Sequence, residues 1–271
     1  MEQLQGKTAV VTGAGSGIGR GICLAFAKQG MSVVVSDIEA DAAGAVAEEV
    51  RAAGQRAIAV CTDVADRAAV RALADRSFEE FGVVNVLCNN AGVFTFKNAA
   101  DMSDADWTWV MSVNLDGVVN GVTQFLPRMI AQEAEAHIVN TSSTAGLYPG
   151  SGVLSYITAK YAVTGLTESL RVDLEPLGIG VSLLCPGNVA TRIEESGRNR
   201  PDELGGPEKV PDAFLAARRT RTQPAHDPLD VGEMVVRAIQ RNDLFIVMNP
   251  ERKRAVEQRL EAIRAAYAAA P

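Results

Sequence analysis

Thr8-Ala9-Val10-Val11-Thr12-Gly13-Ala14-Gly15-Ser16-Gly17-Ile18-Gly19 is the stretch that decides the fold. A β-branched apolar run stops at a turn with four glycines in the seven positions 13–19, and a helix-period segment follows. Glycine reaches backbone conformations closed to other residues, so such a turn can approach a ligand closely. The helix behind it offers unpaired N–H groups and a positive dipole end to an anion such as a pyrophosphate. The spacing is Gly13-x3-Gly17-x-Gly19 and not the standard dinucleotide GxGxxG, since Ile18 follows Gly15 by three positions and Ile22 follows Gly19 by three. A glycine turn alone could also be a tight strand-to-helix connection. The second apolar run, Val33-Val34-Val35-Ser36-Asp37, ends in a carboxylate 37 − 19 = 18 residues beyond the last glycine. An aspartate there accepts hydrogen bonds from adenosine ribose hydroxyls and repels the extra phosphate of NADP. Neither Ser16, Ser36 nor Ile38 supplies a cation to offset that repulsion. NAD is therefore the expected cofactor, with a helix-capping role for Asp37 as the plainer alternative.

Outward from this unit the same alternation repeats. Strand-like runs at 8–11, 32–36, 57–61, 84–88, 138–141, 181–184 and 244–248 are separated by helix-period stretches, among them 41–53, 67–81, 229–240 and 252–269. Gly30, Gly54 and Gly82 fall near helix ends, where a positive φ is often needed. Repeated βαβ units predict an α/β, doubly wound fold, a parallel sheet with helices on both faces, organised as one domain over residues 1–271. From 191 to 227 the pattern loosens, with Pro201, Pro207, Pro211, Pro224 and the Gly205-Gly206 pair. This segment is expected to be a long mobile excursion on the substrate side.

Composition narrows the function. Residues of the AVILMFWYC set make up 47% of the 271 positions, enough for a sheet buried on both faces. A net charge of -7 disfavours phosphate backbones and anionic lipid, so neither nucleic acid nor a membrane surface is an expected partner. Residues 1–7 lack the features of a signal peptide and no window approaches the ~20 apolar residues of a membrane span, which predicts a cytoplasmic protein. Cys23, Cys61, Cys88 and Cys185 form no CxxC pair and read as buried thiols, with no metal site expected. His137 and His226 sit at no metal-ligand spacing, and neither receives a role.

Tyr156 and Lys160 lie four apart in a helical stretch and so share a face. A phenol is a poor base near neutrality, but a cation about 4 Å away at an effective dielectric near 20 favours the phenolate by up to ~4 kcal/mol. Tyr148, Tyr161 and Tyr267 are followed four residues on by Gly152, Gly165 and Pro271, so only Tyr156 passes this test.

Five ordered motifs now stand together: the glycine turn, Asn89-Asn90-Ala91-Gly92, Ser143 at 156 − 143 = 13 residues before the tyrosine, Tyr156-x3-Lys160, and Pro186-Gly187. In this order they resemble the short-chain dehydrogenases/reductases. The resemblance implies a Rossmann-type seven-stranded parallel sheet in the order 3-2-1-4-5-6-7, with cofactor and substrate at the carboxyl ends of the strands. It implies Asn114, Ser143, Tyr156 and Lys160 as catalytic residues: Tyr156 exchanging a proton, Ser143 holding the substrate oxygen, Lys160 favouring the phenolate and binding the nicotinamide ribose, and Asn114 holding a relay water. For the cofactor it implies Gly13, Ser16, Gly17, Ile18, Gly19, Asp37, Asp63, Val64, Asn90, Ala91, Gly92, Pro186, Gly187, Val189 and Thr191, with Tyr156 and Lys160. Ser143 could instead be a strand-end polar residue and Asn114 a helix-interior hydrogen bonder. Phe94, Leu147, Tyr148, Val153 and Ile193 are the expected substrate contacts, mostly apolar or aromatic, though core packing would use the same residue types.

Residues 113–121 and 180–184 look like the lignin-degrading Cα-dehydrogenases, which oxidise benzylic alcohols. The expected activity is thus hydride transfer between NAD(H) and a hydrophobic secondary alcohol or ketone. Two other readings stay open: an NADPH-dependent ketoreductase acting on carrier-bound or polyketide substrates, which Asp37 and the negative charge disfavour, and an NAD-sensing protein without turnover. Similar proteins form homotetramers through helices near 98–131 and 155–176 and the C-terminal strand, so a homo-oligomer, tetramer or dimer, is expected.

Overall fold

The computed structural model describes residues 1–212 and 225–270. Seven strands, β1 (Thr8–Thr12), β2 (Ser32–Asp37), β3 (Ala57–Cys61), β4 (Val86–Asn89), β5 (His137–Thr141), β6 (Gly180–Cys185) and β7 (Phe245–Val247), form one sheet in the order β3-β2-β1-β4-β5-β6-β7. Every neighbouring pair is parallel. The crossovers run through α1 (Gly17–Lys28), α2 (Ala40–Ala52), α3 (Arg67–Phe81), α4 (Asp104–Met111), α5 (Gly117–Ala131), α6 (Leu154–Leu174) and α7 (Pro228–Arg241); α8 (Lys253–Ala268) follows β7. Gly30, Gly54 and Gly82 all take positive φ, as their places at helix ends predict.

The period of two along each strand divides the interior into separate cores. Ala9, Val11, Val33, Val35, Val86, Cys88 and Val139 face one side, where Ile22 and Phe26 of α1, Val46 of α2 and Val235 and Ile239 of α7 cover them. Their neighbours Val10, Val34, Leu87 and Ile138 face the other, against Leu73 of α3 and Phe125 and Met129 of α5. Both faces need apolar cover, so the strands read as unbroken β-branched runs. The outermost strands β3 and β7 are the exceptions, and β3 explains one misreading: Cys61 is exposed, whereas Cys23, Cys88 and Cys185 are buried.

Residues 213–224 of the expected excursion lie outside the described residues. Its described part is not a structureless loop. Val189 and His226 form a parallel bridge that closes its base, and Ile193–Asn199 and Asp202–Leu204 are 3-10 turns. An ion-pair cluster pins it down: the buried Asp106 carboxylate in α4 binds Arg200 at 2.7 Å and Lys97 at 2.8 Å, and Arg200 also reaches Glu208 at 2.7 Å. Burial alone would raise the Asp106 carboxyl; bonds from Lys97, Ser103 and Arg200 outweigh it and hold the group well below the usual carboxylate range.

Candidate functional site

Strand order reverses between β1 and β4, the place where an open parallel sheet leaves a crevice at its carboxyl edge. A cleft of about 450 Å³ opens there. Its lining includes Gly13, Ser16, Gly17 and Ile18 from the glycine turn, Asp37 at the end of β2, Asp63 and Val64 after β3, and Asn90, Ala91 and Gly92 after β4. Ser143 after β5, Tyr156 and Lys160 on α6, and Pro186, Gly187, Val189 and Thr191 after β6 complete the set.

The glycine turn is shaped by near contact. A Cβ on Gly13, whose φ is +62°, would lie 2.6 Å from Ala91 Cα, and one on Gly17 2.9 Å from Thr191 Cγ2. Gly19 does not line the cleft; a side chain there would collide with the Gly13 carbonyl, so its part is to let α1 close onto the turn. Ser16 is the N-cap of α1 and makes no side-chain capping bond, which leaves the first-turn N–H groups facing the cleft end of the helix. Asn90 ties the turn to β4, its Nδ2 donating to the Thr12 carbonyl at 3.0 Å and the Gly13 carbonyl at 3.2 Å. Asp37 accepts from the amides of Gly15 at 2.8 Å and Glu39 at 3.0 Å. A glycine cradle at a helix N-terminus with a fixed carboxylate at its far end fits an adenine dinucleotide.

At the other end, α6 runs beside β5. Lys160 is 3% exposed; its Nζ donates to the Thr141 carbonyl at 2.8 Å and lies 5.6 Å from the centroid of the Tyr156 ring. Burial lowers the Lys160 pKa from 10.5 to about 8. Ser143 caps a 3-10 turn, its Oγ accepting from the Ala145 amide at 3.1 Å. Ser142 next to it is structural, donating to the Lys160 carbonyl at 2.8 Å. Asn114 sits in a π-helical turn, Ser112–Asp116, fully buried. Its Oδ1 accepts from the Val93 amide at 2.7 Å and its Nδ2 donates to the Val93 carbonyl at 2.9 Å, so its side chain does not reach the cleft.

The expected substrate contacts divide. Ile193 lines the cleft, and Phe94 packs edge-on to Tyr156 with ring centroids 5.4 Å apart. Leu147 turns inward against the cluster of Val118, Val163, Leu183 and Cys185. Val153 caps α6 and bridges to Lys97, and neither it nor Tyr148 lines the cleft. Sequence reasoning missed Val93, Trp109, Val113 and Leu204, which supply most of the apolar wall near Tyr156. Trp109 and Val113 sit at inward-facing helix positions in α4 and the π turn, which helical period marks as buried without saying against what. Two cations were also missed. The sequence around Asp37 holds none, yet the segment after Thr191 brings Arg192 and Arg198 into the lining and pairs both with Glu39.

His137 lies buried at the opposite end of the sheet, bonded to Ser182 Oγ at 2.8 Å, with its pKa lowered by burial to about 3. It is a neutral core histidine.

Among known proteins, a family model described as short chain dehydrogenase matches residues 7–202. The C alpha-dehydrogenase of Sphingobium sp. strain SYK-6 is 34% identical over 265 residues, which span 97% of this chain and 87% of that protein. A short chain dehydrogenase/reductase from Burkholderia phymatum, solved in complex with NAD, superposes with a TM-score of 0.92 at 39% identity, covering 98% of this chain and 97% of that one. The apo form of LigD from Sphingobium sp. strain SYK-6 gives 0.82 at 30% identity, covering 99% and 100%.

Proposed function

This chain belongs to the short-chain dehydrogenase family of oxidoreductases, and from that premise we propose that it moves a hydride between NAD(H) and a hydrophobic secondary alcohol or ketone. The observation that carries the proposal is a buried lysine cation beside the Tyr156 ring, in the same cleft as the glycine turn and Asp37. NAD, when bound, supplies the hydride acceptor or donor. Gly13, Ser16, Gly17 and Ile18, backed by Gly19, would cradle its pyrophosphate; Asp37 would take the adenosine ribose, and Asp63 and Val64 would border the adenine. Asn90, Ala91 and Gly92 would face it from the end of β4, and Pro186, Gly187, Val189 and Thr191 would hold its nicotinamide end.

In the oxidation direction, Ser143 Oγ holds the substrate oxygen while the tyrosine Oη takes the hydroxyl proton, and the carbon–hydrogen pair leaves as hydride so that a carbonyl forms. Lys160 stabilises the developing phenolate. Asn114 contributes by position: it fixes Val93 next to Gly92 and Lys160, and a relay water would be held by atoms other than its side chain. Val93, Trp109, Val113, Ile193 and Leu204 form an apolar wall, with Phe94 behind Tyr156, that suits an aryl or alicyclic substituent. A cytoplasmic location and a homo-oligomer belong to the same reading, the oligomer supported by exposed Val172 on α6 and Phe245 and Val247 on β7. No helix among the described residues is long and apolar enough to cross a membrane.

The test is reduction of NAD+ and of NADP+ with a panel of aryl and alicyclic secondary alcohols. Turnover with NAD+ in preference to NADP+ is expected; tight NAD+ binding with no turnover across the panel would replace the enzyme reading with a sensing one.

A further inference from the structure

Glu39 stands two residues beyond Asp37, and its amide donates to the Asp37 carboxylate at 3.0 Å. Its own carboxylate is met by cations and an amide of the segment after Thr191. One oxygen accepts from Arg198 and from Asn199 Nδ2, the latter at 2.8 Å; the other faces Arg192 at 3.7 Å. Arg192, Arg198 and Asn199 line the cleft together with Asp37, whereas Glu39 is not among the lining residues and lies behind the guanidiniums. Two arginines thus share a cleft with the carboxylate that would face the adenosine ribose, where a guanidinium would normally recruit a 2′-phosphate by paired hydrogen bonds. Here their charge is met by a partly covered carboxylate, 29% exposed.

We propose that Glu39 is a second determinant of cofactor choice: by occupying Arg192 and Arg198 it denies them to the 2′-phosphate of NADP, which Asp37 repels directly. The inference rests on the NAD reading above and deepens it. It makes the excursion after Thr191 part of the nucleotide site as well as of the substrate side. The hydrogen bond from Asn199, then the two arginines, hold the Glu39 carboxyl below its ordinary range, so the mask is ionised at neutral pH.

The experiment is calorimetric titration of NAD+ and NADP+ into the whole chain, its Glu39→Gln variant, the Arg192→Gln/Arg198→Gln pair and the triple combination. Glu39→Gln keeps a hydrogen-bond acceptor for Asn199 and removes the charge. It should tighten NADP+ binding by roughly three- to tenfold with NAD+ affinity little changed, the size of a partly exposed charge-assisted contact. The gain should vanish in the triple variant. NADP+ affinity unchanged by Glu39→Gln, a gain that survives loss of both arginines, or an equal weakening of both nucleotides would each overturn the proposal, the last showing that Glu39 merely braces the segment. Were the unaltered chain to prefer NADP+, the NAD reading itself would fall, and this inference with it.

Discussion

Burying an ammonium is expensive unless it is paired with an anion, and the Lys160 Nζ donates to a neutral acceptor, the Thr141 carbonyl. Its pKa of about 8 against 10.5 in an open chain fixes the sign of its effect on stability. Between those values the unfolded chain binds more protons than the folded one, so stability rises with pH; below about 8 the cost of the buried cation is present in full. Lys160→Met should therefore unfold no more easily than the unaltered chain at pH 7 in a urea titration. Its kcat/KM should fall about a hundredfold or more, because methionine carries no charge to stabilise a phenolate at that ring. A variant that loses stability and keeps turnover would show the lysine to be structural. Bonding separates Ser143 from Ser142: adjacent hydroxyls of one type, one accepting from the Ala145 amide in its own turn and one donating to the Lys160 carbonyl of α6.

Among the elements, the junction of α1 with α7 matters most to the site, since α1 begins in the glycine turn and α7 follows the excursion. The two helices meet backbone to backbone. A side chain on Gly21 would strike the Pro228 carbonyl, and one on Gly232 the Gly21 carbonyl. Gly232→Val should cost about 1–3 kcal/mol in a denaturant titration through overpacking, and should weaken NAD+ binding because the N-terminal turn of α1 is displaced with the helix. Unchanged stability would mean that the helices can part without cost. Sequence reading captures elements of this kind unevenly. The 67–81 helix has the predicted bounds, because Asp66 caps it and Gly82 ends it with φ +75°. In the described part of the excursion, contacts hold turns that the sequence does not announce, because the proline and glycine pattern shows where regular structure stops. It does not show that Arg200 will find Asp106 and Ser196 the backbone of Phe94, whose amide donates to the serine at 2.9 Å.

For the molecule as a whole, the doubly wound topology was legible because both faces of the sheet must be apolar and each crossover must be helical, constraints that act locally along the chain. The motif residues were legible because strands end where the cleft begins: Asp37, Asn90, Ser143 and Pro186 all follow or end a buried, largely apolar strand. What the sequence could not place were residues brought in by long-range packing, Trp109 from α4 and Arg192 and Arg198 from the excursion, and it also overassigned Leu147, which faces the core. A phenol on α6 and a dinucleotide cradle where strand order reverses between β1 and β4 are proposed to act on one substrate between them. Turnover and NAD+ affinity measured side by side in Tyr156→Phe decide whether they do. In this variant kcat should fall about 10²–10⁴-fold with NAD+ binding nearly intact, since the hydroxyl serves the substrate and the ring is kept; turnover comparable to that of the unaltered chain would remove the phenol from the reaction.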